Sequence, residues 1–292
     1  MSAVLKSSVQ RHPILRGRDI VLRTRGLRHG PITRLVSPSD IGELIKPFVF
    51  LDLFDIAATS APNFGWHPHS GIATLTVLHE GAIEYQETTG AKGTLPAGGV
   101  EWMRAGGGVW HTGSAPERAK GFQLWIALPA DLESTPSQSR YLSAAEVPGD
   151  KTARIILGTY EGKNSLIPAP ASINYLDVQL AAGERWTYQP PTDHDVAWLA
   201  VSQGALRARE PISSGELAVF EESNAAIALQ ADTASRFVLG SAVKHPHPLV
   251  LGRYSVHTTR AALAAGESEI QRIGRQLADA KRESASPLTA SL

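Results

Sequence analysis

His67-Pro68-His69-Ser70-Gly71-Ile72-Ala73-Thr74-Leu75-Thr76-Val77-Leu78 is the stretch on which the reading of this chain turns. Its second half is a run of β-branched and apolar residues, the composition of a strand packed in a pleated sheet. Its first half places two histidines at i and i+2. Side chains alternate along a strand, so His67 and His69 project from the same face. A third histidine, His111, closes the glycine-rich run Gly106-Gly107-Gly108-Val109-Trp110-His111. Glycines of this kind let a backbone turn tightly and approach a site closely. Arriving from another strand, His111 can complete a three-nitrogen face on a metal ion. Neutral imidazole suits Fe, Cu, Ni and Zn, and disfavours Mg and Ca.

Short β-type runs continue outward on both sides. Pro47-Phe48-Val49-Phe50-Leu51, Ala82-Ile83-Glu84-Tyr85 and Gly121-Phe122-Gln123-Leu124-Trp125-Ile126-Ala127-Leu128 are separated by glycine-bearing turns. A second series follows a Pro-, Ser- and Glu-containing segment: Ala153–Leu157, Leu176–Leu180, Val196–Val201, Leu217–Phe220 and Phe237–Leu239. The two halves share a turn rhythm, so the chain reads as all-β, two related barrels in tandem. His245-Pro246-His247-Pro248 repeats the histidine spacing, but its prolines remove ladder donors, and it is taken as a connecting loop. The expected division is a flexible tail over 1–18, a first barrel over 19–130, a linker over 131–150, a second barrel over 151–265, and a helix with a tail over 266–292. The helix expectation rests on Ser268-Glu269-Ile270-Gln271, a capping-box pattern, followed by Ile270, Ile273 and Leu277 on one helical face. Ile20-Val21-Leu22-Arg23-Thr24-Arg25 alternates like an exposed strand.

The chain has 292 residues with 28 basic and 28 acidic side chains, so no global charge excess points to nucleic acid. It has no cysteine, which rules out disulfides, thiolate metal sites and cysteine nucleophiles. No apolar stretch reaches the roughly 20 residues of a membrane span. A cytoplasmic location and a monomer are the expectations.

Several segments resemble the pirin family of the cupin superfamily. His67-Pro68-His69-Ser70-Gly71 is similar to the family's HPHRG. Pro96-Ala97-Gly98-Gly99-Val100-Glu101-Trp102-Met103-Arg104-Ala105-Gly106 is similar to PGDVQWMTAG, Gly108-Val109-Trp110-His111 to GIxH, and Gly121–Pro129 to GLQLWVNLP. Leu51-Asp52-Leu53-Phe54-Asp55 resembles the family's FD.F segment, and Gly252–Thr258 is a looser match near the end. The resemblance implies two tandem cupin barrels, of the double-stranded β-helix or jelly-roll kind, with a C-terminal helix. It implies a metal in the first barrel, Fe(II) above Ni, Cu, Zn or Mn, on His67, His69 and His111. The family's glutamate two residues past the third histidine falls on Gly113, and a second one, four residues past HPH, falls on Ala73.

The resemblance extends to a quercetin 2,3-dioxygenase-like oxygenase acting on a small aromatic or flavonol-like ligand. Such chemistry needs a carboxylate to take the substrate's proton. With Gly at 113, Glu84 and Glu101 are the nearest candidates. Phe48, Phe50 and Phe64 are the candidate pocket walls. Trp66 and Trp110 precede histidines and so belong to the opposite strand face. The alternatives are a transcriptional or metabolic regulator with a protein partner, and a metal-free cupin that binds a small molecule.

Overall fold

The computed structural model describes residues 17–57 and 64–285. The chain is all-β, two tandem cupin barrels followed by one long helix. The main sheet of the first barrel runs, in order, Gln138–Leu142, Val100–Arg104, Ile72–Glu87, Ala119–Ala127, Phe48–Ile56, Ile32–Val36 and Leu27–His29. The opposite wall pairs Phe64–His69 with Val109–Ser114. The strand Ile72–Glu87 serves both walls. Its first half pairs with Ala119–Ala127 and Val100–Arg104, and its second half with Lys92–Pro96 and Val109–Ser114. The corner lies at Gly81, whose φ of +79° suits glycine. A Cβ there would stand 1.4 Å from the Arg118 carbonyl oxygen, so no other residue allows this crossing.

The second barrel has a six-stranded sheet: Ile20–Thr24, Leu217–Phe220, Val196–Gln203, Ser235–Ala242, Ile173–Leu180 and Ala153–Leu157. Its outer side is a four-stranded sheet that includes Arg185–Tyr188 and Ile227–Ala231. The two barrels meet through one apolar cluster containing Leu51, Leu75, Val77, Phe122 and Leu124 from the first and Tyr175, Trp198, Ala200 and Val238 from the second. Phe48 packs edge-on against Trp198 with ring centroids 5.3 Å apart. Burying each large apolar side chain of this kind contributes about 1.5–3 kcal/mol. The run Ile72–Leu78 is therefore covered on both faces, which is why it reads as nearly continuous apolar sequence.

Four sequence boundaries shift. Arg18, expected in the tail, is buried in the second barrel, where its guanidinium donates to the carbonyls of Ala225, Asp195 and His194. The rest of that expected tail lies outside the described residues. The strand Ile20–Thr24 is half exposed, as its alternation implies, but it pairs with Leu217–Phe220 and so belongs to the second barrel. Gln138–Leu142, expected within a linker, pairs with Val100–Arg104 and edges the first barrel's sheet. The helix spans Arg260–Ala285 and starts before the expected Ser268, because the Thr259 hydroxyl accepts from the Ala262 amide and caps it first.

The helix packs on the first barrel. Its Ile270 is buried, the Ile270 carbonyl accepts from Trp110 Nε1 at 2.6 Å, and Gly274 lets the Trp110 ring approach closely. Lys281 Nζ lies 4.6 Å from the Trp66 ring centroid. Both tryptophans thus occupy the strand face opposite the histidines, as the alternation implies. Among the described residues no helix is long and apolar enough to cross a membrane.

A buried ionic cluster also bridges the barrels. Asp177 of the second barrel meets His79 of the first at 3.2 Å, and it accepts from Arg154 at 3.2 Å and Arg236 at 2.7 Å. Burial opposes ionisation of Asp177, but the bonds from His79 and Arg236 outweigh it and hold its pKa below the usual carboxylate range. Removing one partner of such a cluster leaves buried charge uncompensated. Asp177→Ala should therefore cost about 3–5 kcal/mol in equilibrium urea unfolding. A loss below about 1 kcal/mol would show that the cluster does not hold the barrels together.

Candidate metal centre

The histidine wall is set by pairing register. His67 stands directly opposite His111, and Phe64 stands opposite Gly113, with a bulge between them. The bulge adds one residue on the Phe64 side, so Phe64 and His67 share a face despite their i, i+3 spacing. The three imidazoles converge. Ring centroids are 4.2 Å apart for His67 and His111, 5.0 Å for His69 and His111, and 5.1 Å for His67 and His69. One nitrogen from each lies within 4.8 Å of the others.

Backbone carbonyls orient two of the rings. His67 Nδ1 lies 2.8 Å from the Gly65 carbonyl oxygen, and His69 Nδ1 lies 3.0 Å from that of Tyr254. A carbonyl only accepts, so each Nδ1 carries the proton and each Nε2 keeps its lone pair. Tyr254 lies in the segment that leaves the second barrel, so that segment supplies a supporting contact to the first-barrel site. His111 Nε2 is buried with no hydrogen-bond partner. Burial lowers the pKa of all three. His69, pushed down by burial and then by His67, falls to about 3, and His111 moves well below the usual histidine range. Three neutral imidazoles around an orphaned buried nitrogen form a donor set that fits a divalent transition metal.

Facing the histidines is the inner surface of the main sheet. Register places Arg34, Asp52, Gln123, Thr76, Glu101 and Tyr141 side by side across six strands. Glu101 is 7% exposed and lines the cavity, with an oxygen 4.0 Å from His111 Nδ1. The Thr76 hydroxyl donates to Glu101 at 2.6 Å and lies 2.6 Å from the Gln123 carboxamide. Burial pushes the Glu101 carboxyl up to about 7. Asp52 is held by Arg34 at 2.5 and 3.2 Å, and the Arg34 guanidinium lies 3.7 Å from the Phe50 ring centroid. Phe50 in turn stacks on Trp125 at 4.1 Å, and Trp125 meets His69 edge-on at 4.9 Å.

The expected site residues thus divide. His67, His69, His111, Phe50, Phe64 and Glu101 all line one cavity. Phe48 does not. A bulge at the Trp125/Ile126 step breaks the alternation, so Phe48 turns to the core between the barrels while Phe50 faces the cavity. Glu84 lies outside the cavity and accepts from the Ser114 hydroxyl. Gly113 lines the cavity, whereas Ala73 sits with Leu75 and Val77 on the face turned to the second barrel. A carboxylate at 73 would point away from the histidines, so only the vacancy at 113 concerns the site.

Asp52, Thr76, Gln123, Tyr85 and the Tyr254 carbonyl were not singled out from sequence. The period-2 relation of Phe50, Asp52 and Phe54 could have found the first of these. The backbone contact from Tyr254 leaves no mark in sequence.

The Pirin family model matches residues 31–126. A "Pirin-like protein" of Caulobacter vibrioides is 30% identical over 254 residues, which cover 82% of this chain and 91% of that protein. The crystal structure of a quercetin 2,3-dioxygenase from Acinetobacter baumannii superposes with a TM-score of 0.76 at 23% identity, covering 89% of this chain and 96% of that one. The bacterial pirin YhhW of Escherichia coli, in complex with nickel(II), superposes with a TM-score of 0.62 at 22% identity, covering 79% of this chain and all (100%) of the other. The motifs around the histidines, the paired barrels and a relative aligned over nearly its whole length agree: this chain belongs to the pirin family.

Proposed function

We propose that the first barrel holds one divalent metal ion, iron(II) foremost, on His67, His69 and His111, and acts as an oxygenase on a small hydroxylated aromatic substrate. The observation that carries this reading is the convergence of three neutral imidazoles, with the buried Nε2 of His111 unpartnered at a cavity wall. The nickel(II) complex of the E. coli pirin and the A. baumannii quercetin 2,3-dioxygenase structure support it as fold-level precedents.

When bound, such an ion supplies Lewis acidity toward a phenolic or enolic oxygen and a redox route to dioxygen. The chain supplies the rest. Glu101 is the buried carboxyl nearest the histidines and is the group placed to take a substrate hydroxyl proton. Thr76 fixes its orientation by donating to one of its oxygens. Phe50, Phe64 and Trp125 exclude water and receive an aromatic ring. With Gly at 113, no carboxylate on the histidine wall offsets the ion's charge, which favours an anionic oxygen ligand.

Inductively coupled plasma mass spectrometry on untagged protein should find about one transition-metal ion per chain, lost in the His67→Ala/His111→Ala variant. No metal in either protein after anaerobic iron(II) loading would overturn the proposal and leave a metal-free cupin. Gly113→Glu should tighten metal binding by at least about tenfold, the scale on which a change in ligand environment acts. There is room for it, since a Cβ at 113 meets nothing nearer than 3.4 Å. Competition with a chelator reads this directly, and unchanged affinity would show that position 113 does not reach the ion.

In metal-free protein, Glu101 also sets a pH dependence. Its folded pKa of about 7 lies above the ordinary 4.5, so the folded state binds the proton more tightly than the unfolded state does. The Glu101 contribution to stability should fall as pH rises from 4.5 to about 7 and then level off, by about 3 kcal/mol in all, against the opposite slope that the depressed histidines contribute below their ordinary 6.5. Glu101→Gln should remove this component alone, so that the variant gains on the wild type as pH rises through this range and is the more stable protein at pH 8. Parallel pH profiles of the two proteins would refute the buried-carboxyl assignment.

A further inference from the structure

We propose that the cavity over the three histidines is sized and lined for a single hydroxylated ring of the catechol class, in preference to a three-ring flavonol. The inference rests on the metal-centre reading above and narrows its substrate.

The first argument is volume. As bounded by the described residues, the cavity is open on one side and offers ≈190 Å³ of space. An engineered apolar cavity of about 150 Å³ takes one benzene molecule. Sites for drug-sized ligands run to about 300–1,000 Å³. A flavonol carries two fused rings and a pendant third, and so belongs to the second class.

The second argument is how the walls are fixed. Phe54 lines the cavity and packs over Gly121, where a Cβ would stand 3.0 Å from its ring. Phe54 is itself 6% exposed and part of a packed apolar cluster with Ile56, Leu78 and Leu95. On another side the Phe50–Trp125 stack at 4.1 Å is pinned by Arg34, which the Asp52 carboxylate holds in place. Neither wall can retreat by a simple rotamer change, because each packed ring is backed by a second group.

The third argument is polarity. Glu101, Thr76 and Gln123 form a row on the main sheet, and the histidines form the opposite wall. Apolar side chains, aromatic and aliphatic, form most of the remaining lining. A single ring with two neighbouring oxygens can meet both polar walls at once while its carbon edge meets the aromatics. A hydrocarbon ring would leave the row unpaired.

The test is isothermal titration calorimetry on the full chain loaded with nickel(II), under nitrogen. The metal is counted by mass spectrometry before and after, and the His67→Ala/His111→Ala variant serves as the blank. Catechol should bind at one per chain, and quercetin at least tenfold more weakly. Phe64→Ala, which trims a half-buried wall residue, should narrow that gap. Quercetin binding at one per chain as tightly as catechol would overturn the size inference while leaving the metal centre intact. A metal-loaded chain that binds no catechol would also overturn it. A chain that takes up no nickel fails at the metal count, which overturns the metal-centre reading and this inference with it.

Discussion

Everything in this molecule depends on the apolar contact between the two barrels. The central strands of the first barrel's main sheet have little solvent face. One side is pressed against the second barrel through Leu75, Val77, Phe122 and Leu124, which meet Tyr175, Trp198 and Val238. Because that side supplies the burial, the other can carry Asp52, Thr76, Glu101 and Gln123. A cupin barrel whose sheet had to stabilise itself from the inside alone would need apolar residues there. The second barrel thus contributes to the first barrel's chemistry by releasing its interior from the work of folding.

The second barrel's side of the chain reaches the site in another way. After the second barrel the chain returns to the first at Tyr254–Thr258. The Tyr254 carbonyl accepts from His69 Nδ1, and the Ser70 hydroxyl donates to that of Ser255 at 2.8 Å. His257 lies 3.0 Å from Ser70 Oγ and 3.2 Å from Glu133, whose carboxylate also accepts from the Thr258 amide and hydroxyl. Ser70, Glu133, Ser255, His257 and Thr258 are all buried. The ring that sits deepest in the candidate centre is held by residues more than 180 positions away in sequence. Burial keeps that ring neutral, and the carbonyl decides which nitrogen faces the cavity.

The carboxylate arrangement follows from strand geometry. Gly113 shares the histidine wall, and Glu101 projects from the wall opposite, so the two positions address the same space from opposite sides. A carboxylate at 113 would stand among the ligands. Glu101 stands beside them, hydrogen-bonded to Thr76 and buried enough to hold a proton near neutrality. The acidic group here is therefore better placed to move protons than to bind an ion, and the vacancy at 113 leaves room for a ligand's own oxygen.

Local patterning in the sequence settled the strands, their punctuation, the tandem repeat and the pairing of His67 with His69, because alternation and glycine turns are properties of neighbouring residues. The glycine-rich run ending at His111 offered the third histidine, and motif resemblance assigned all three to one site and pointed to position 113. Beyond these, tertiary structure decided. Two bulges turned Phe48 out of the cavity and Phe64 into it, and an extra residue in a ladder reverses every face assignment past it. The alternation of Val100-Glu101-Trp102-Met103 split those residues into two faces, but only the docking of the second barrel determined that Trp102 met the core and Glu101 the cavity. Arg18 and the strand Ile20–Thr24 read as tail and exposed strand, and only long-range pairing assigned them to the second barrel. Sequence fixes which side chains share a face over a few residues, and the face that is buried, and against what, is a property of contacts between residues far apart in the chain.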